Sequence, residues 1–210
     1  MRDDNKIADV IKSATLIERQ EQKAVFISFA LVFVLMAAYY MLRPVRDAMA
    51  SDWTNTEISV LWNIQFFLSL MFVAIYGVAV SKIEFRYLVP TVYGFFALSF
   101  VSFHFGGTLV EDPVLLDKGF YLWVSLFSLF HVSVFWSLMA DLYNKEQSKR
   151  LFGFIAVGAS AGAIVGPIVA TVAAQTIGSE PLMLSASLMM LIPLPIVFYL
   201  QFLKRTELHN

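Results

Sequence analysis

"AVFISFALVFVLMAAYYML", residues 24–42, carries no charge over nineteen positions, and "RPVRDAM", residues 43–49, follows it at once. A helix needs about 20 apolar residues to cross about 30 Å of hydrocarbon, and this run is that long. Five later segments read the same way, which places spans at roughly 24–43, 58–81, 87–110, 119–140, 151–176 and 181–203. Backbone facing lipid must satisfy its own polar groups, and none of these segments alternates apolar and polar residues as a membrane strand would. The expected fold class is all-α: a polytopic membrane protein of six transmembrane helices.

Composition points the same way. The chain is 59% hydrophobic and 15% charged, where a soluble domain carries about 25% charged residues. There is no cysteine, which removes disulfides, thiolate metal sites and a cysteine nucleophile. A net charge of -1 without any basic tract argues against a nucleic-acid partner. HExxH, a Walker A loop, a GxSG serine and a Mg²⁺-binding aspartate cluster are all missing, so neither an enzyme nor a cofactor is expected.

Residues 1–23 are too polar and too long for the n-region of a cleaved signal. Ile7, Val10, Ile11, Ala14 and Ile17 fall at helical spacing, which predicts a short amphipathic helix on the membrane surface or simply a solvated one. Twelve of the fifteen Lys and Arg fall on one side of the six spans; only Arg43, Arg46 and Lys118 fall on the other. The positive-inside rule then puts both termini in the cytoplasm, with 204–210 as a cytoplasmic tail.

No Asp, Glu, Lys or Arg lies at mid-membrane depth, where His104 and His131 are the only ionisable side chains. Interest therefore moves to the span ends. Arg43 and Arg46 are i and i+3, and Asp47 is i+4 from Arg43, so the three share a helix face. Two guanidiniums offer bidentate donors to an anion such as phosphate. The plainer reading is a helix end at the interface, with arginines snorkelling to headgroups. Pro44 should kink any continuing helix. Asn63 and Gln65 in span two, and His131 in span four, either line a cavity or bridge helices. Gly158, Gly162 and Gly166 repeat every fourth residue and let another helix approach closely, with Pro167 bending the helix after them. The stretch "DLYNKEQSKR", 141–150, reads as a loop in which Asp141, Glu146, Lys149 and Arg150 form either an ion-pair latch or a solvated surface.

Two stretches, "YYMLRPVRDAM" and "HVSVFWSLMADLYNKEQSKRLFGFIAVGASAGAIVGPI", resemble the bacterial branch of the ATP/ADP translocase family. That family is distantly related to the major facilitator superfamily. The resemblance implies the N-terminal six-helix bundle of a twelve-helix transporter in a bacterial inner membrane, working by alternating access. The family's basic residue near the end of helix one corresponds to Arg46, with Arg43 and Asp47 beside it. Its helix-four glutamate has no counterpart before Asp141. The superfamily loop between helices two and three is echoed by Gly77, Lys82 and Arg86 in "GVAVSKIEFR", and its helix-five glycine–proline motif by Gly162, Gly166 and Pro167.

The expected function is half of a transporter for a small anionic solute, a nucleotide among the candidates. Arg43, Arg46, Asp47, Asn63, Gln65 and His131 would contact the solute. Lys82, Arg86, Asp141 and Arg150 would form a cytoplasmic gate. A second half would be another copy, a different chain or a missing domain, a truncated reading frame being one source of the last. The alternative is a membrane scaffold or assembly subunit that transports nothing.

Overall fold

The computed structural model describes residues 17–106, 113–177 and 179–208, and every regular element among them is helical. Six helical segments are long and apolar enough to cross a membrane. Most of the expected amphipathic segment, including Ile7, Val10, Ile11 and Ala14, lies outside the described residues, as do positions 107–110 of span three.

Helix α1 (Gln22–Met49) runs on past its apolar core, through Pro44, and ends in a 3₁₀ turn at Ala50–Asp52. The first span was expected to stop near residue 43. A proline costs one backbone hydrogen bond and crowds the preceding turn, but a helix held on several sides absorbs that. Here α1 is the central helix, packed against four others. It meets α4 (Pro113–Leu142) and lies most extensively along α5 (Lys145–Ile177). It also meets α6 (Ser179–Met189) and α7 (Pro193–Leu203). Helix α3 (Phe85–Gly106) closes the bundle against α4, α6 and α7. Helix α2 (Asn55–Lys82) stands apart: it reaches α4, only grazes α3, and buries Leu61 alone.

Two expected loops shrink to turns because their residues cap helices. Thr54 accepts from the Glu57 amide while Glu57 Oε2 accepts from the Thr54 amide at 2.9 Å, a reciprocal cap that starts α2 at residue 55. Asn144 Oδ1 accepts from the amides of Glu146 at 3.0 Å and Gln147 at 2.9 Å, and Gln147 Oε1 accepts from the Asn144 amide at 3.0 Å. The stretch 141–150 is therefore not a loop. Leu142 ends α4, Lys145 opens α5, and Glu146 sits in the first turn, where a carboxylate suits the helix dipole.

The sixth span is the other departure. It was expected to be one helix over 181–203, and it is two. The break falls at Met190–Ile192, bridged by short-range bonds such as Ile192 N–H to the Met189 carbonyl at 3.2 Å. Pro193 has no N–H to give that carbonyl, so the chain tightens for one turn and restarts with proline in the first turn of α7. Residues Lys204–Leu208, expected as a tail, continue as a π-helical turn.

Packing is dominated by aromatic side chains from α3 and α4. Phe96, Phe100, Phe120 and Phe127 are all buried, and Phe96 meets Phe127 with ring centroids 4.9 Å apart. Such tilted and edge-on pairs add to the burial of large apolar side chains.

Candidate functional site

We call the end of the bundle where residue 22 enters the near end, and the opposite one the far end. At the far end the extended α1 carries its charged residues beyond the apolar core. Arg46 donates from Nε and Nη2 to one carboxylate oxygen of Asp47, at 2.9 and 2.6 Å. Arg43 Nε lies 3.7 Å from the other oxygen, on the next turn. Both guanidiniums thus converge on one carboxylate.

The two arginines differ in how they are held. Arg46 Nη1 reaches across to Ser125 Oγ on α4 at 3.2 Å, and its guanidinium lies 5.4 Å from the centroid of the Tyr121 ring. Its side chain is 15% exposed, against 47% for Arg43, whose further contact is the ring of its own helix's Tyr40. Tyr121 is itself fixed: its hydroxyl accepts from Trp62 Nε1 at 3.1 Å, and Trp53 meets it edge-on. Beside it Lys118 pairs with Glu57 at 2.8 Å. The result is a cationic cluster set against aromatic rings, its two arginines sharing one acidic residue of their own helix. Sequence reading found Arg43, Arg46 and Asp47. It missed Ser125 and the Trp53–Tyr121–Trp62 set, because only the packing of α2 and α4 against the end of α1 brings them there.

Asn63, Gln65 and His131 do not join this cluster. Asn63 donates to the Ser59 carbonyl and Gln65 to Ser69 Oγ, both on α2 itself. His131 is 2% exposed, between Tyr39 and Phe127, with ring centroids 4.6 and 5.1 Å away. Its Nδ1 lies 3.0 Å from the Phe127 carbonyl, which only an N–H can approach so closely, and its Nε2 faces the Met36 sulfur. It ties α1 to α4 inside the core, through Met36 and Tyr39.

The glycines of α5 lie on α1. A methyl group added at Gly158 would sit 2.6 Å from the Phe29 carbonyl oxygen, and one at Gly166 would sit 2.7 Å from that of Ala37. At Gly162 it would meet the Phe33 carbonyl and the Met36 Cβ. Helix backbones approach this closely only where side chains are absent. Pro167 stands inside α5 directly after this contact.

The near end holds the residues expected at the gate, in two separate groups. Lys82, Arg86 and Asp141 line one cavity of about 690 Å³, together with Glu84, Gln201, Lys204 and Arg205. Asp141 is satisfied there by Lys204 and Gln201, each at 3.0 Å. Arg150 belongs elsewhere. It grips buried Glu21 through both nitrogens, at 2.8 and 3.2 Å, and also reaches Glu18 at 3.1 Å. The expected fourfold gate is thus divided, because α5 begins early and turns Arg150 toward the segment entering α1. Among the described residues, the partners of Asp141 are Lys204 and Gln201, and those of Arg150 include Glu21 and Glu18, all outside 141–150.

No family model, curated protein or solved structure matches this chain.

Proposed function

We propose that this chain is a six-helix half of a transporter that moves a small anionic solute by alternating access, as the resemblance to the ATP/ADP translocase family implies. The near end would face the cytoplasm of a bacterial inner membrane, and a second half would complete the solute path. The observation that carries the reading is the convergence of Arg43 and Arg46 on Asp47 at the far end. A carboxylate shared by both guanidiniums is a stand-in for an incoming anion, and a phosphate offers them oxygen acceptors with more charge. Displacing Asp47 from Arg46 would loosen the end of α1, while the glycine contact keeps α1 and α5 moving as one piece. Arg150 and Asp141 would act as ties at the near end.

The test is thermal unfolding of the purified chain in detergent, titrated with ATP, ADP and inorganic phosphate, beside Arg46→Ala and Asp47→Asn. Anion-dependent stabilisation should vanish in Arg46→Ala and strengthen in Asp47→Asn, where no internal carboxylate competes. A protein blind to every anion, yet forming a stable complex with itself or a partner, would sink the transport reading in favour of a scaffold.

A further inference from the structure

The geometry points to a binding site for one anionic phospholipid at the near end, independent of whether the chain transports anything. The near-end cavity is lined by four cations and two carboxylates. Lys204 already holds Asp141, so among the described residues lining the cavity Lys82, Arg86 and Arg205 are left with exposed Glu84 as the one remaining carboxylate. Those three come from the end of α2, the start of α3 and the turn after α7, so the fold itself assembles a cationic group that the cavity's carboxylates neutralise only in part.

A free phosphate would be served by the cations alone. A second feature favours a lipid. Arg86 and Arg205 also border a smaller crevice of about 150 Å³ whose other walls are Phe198, Phe202 and Gln201. Phe198 and Phe202 are 45% and 58% exposed, on the outer, apolar face of α7. Cation pocket and apolar crevice therefore share two guanidiniums as their common border. A phosphodiester seated between Arg86 and Arg205 would send its acyl chain along the phenylalanines. Tyr87 and Tyr199, both about half exposed, flank the site as side chains of a membrane interface do. Basic pockets between helices at this depth recognise anionic headgroups, and each cation within reach is worth about fivefold in affinity.

The experiment uses the full chain in dodecyl maltoside, followed by native mass spectrometry and thermal unfolding. The probes are phosphatidylglycerol, phosphatidylcholine, glycerol phosphate and inorganic phosphate. The expected result is one retained phosphatidylglycerol with a raised Tm, and no comparable effect of the other three. In Arg86→Gln/Arg205→Gln the affinity should fall on the order of tenfold or more, while Lys149→Gln, an exposed cation at the same end, should keep it. Equal response to phosphatidylcholine would remove the charge recognition. Equal response to glycerol phosphate or inorganic phosphate would make this a soluble-anion site. Undiminished lipid retention in a folded double variant would overturn the assignment. Should the double variant fail to fold, the selectivity of the unmodified chain among the four probes still decides.

Discussion

Gly162 is the most closely approached of the described glycines, and a single methyl group there tests the central packing. The added carbon would run into the carbonyl of Phe33 and the Cβ of Met36, neither of which can swing aside as a flexible side-chain tip would. Gly162→Ala should therefore lower stability by about 1–3 kcal/mol, read by SDS titration of the protein in mixed micelles. Gly77→Ala is the counterpart. Nothing lies within 4 Å of a Cβ at Gly77, and replacing a helical glycine by alanine gains about 0.5–1 kcal/mol. If the two variants behaved alike, the close approach of α1 to α5 would be wrong. The spacing of Gly158, Gly162 and Gly166 announced a close helix contact, because a four-residue repeat is a one-sided stripe whatever lies against it. It did not say which helix, since α1 bears no matching small-residue stripe; Phe29, Phe33 and Tyr40 meet the glycines there. His131 stayed open for a related reason: a polar residue in a span reads equally as site or as packing, and its contacts with Tyr39, Met36 and Phe127 exist only in the fold.

Among the elements, boundaries were harder to read than existence. Hydropathy located all six spans because a membrane demands length and apolarity, and both are local properties. It placed their ends poorly, because ends are set by caps. Asn144 and Gln147 resemble any polar residues in a hydrophilic stretch until their reciprocal bonds are seen. Those bonds give a specific expectation. Asn144→Ala should cost about 1 kcal/mol, while Asn144→Asp, which keeps an acceptor for the two amides, should cost far less. Thermal unfolding of the pair checks this; equal losses would mean that Asn144 matters for something other than its cap. The broken sixth span had a visible signal in Pro193 and Pro195. Hydropathy overrode it, since proline scarcely lowers the apolar average of a window.

At the scale of the whole molecule, the helices are unequally bound. Helix α1 has neighbours on four sides, whereas α2 buries one residue and stands off α4 across an apolar crevice of about 370 Å³ at their far ends. The side-chain contacts that hold α2 include Lys118 to Glu57, Trp62 to Tyr121, Phe72 against Trp123, and Phe72 and Tyr76 against Phe130. Local opening free energy follows the density of such contacts, so α2 should open well below the global unfolding free energy. Hydrogen exchange in detergent should show its amides exchanging before those of α1, with α5 protected alongside α1 through the glycine contact. Lys118→Ala removes one end of the attachment and should speed exchange in the first turns of α2, leaving α1 unchanged. That variant matters beyond stability, because α2 also carries Trp62, which steadies Tyr121 beneath Arg46. A loosened α2 would therefore unsettle the aromatic rings beside Arg46 as well. If α2 and α1 exchanged together in both proteins, the bundle would open as a single unit, and a helix that moves against its neighbours would have to be sought elsewhere.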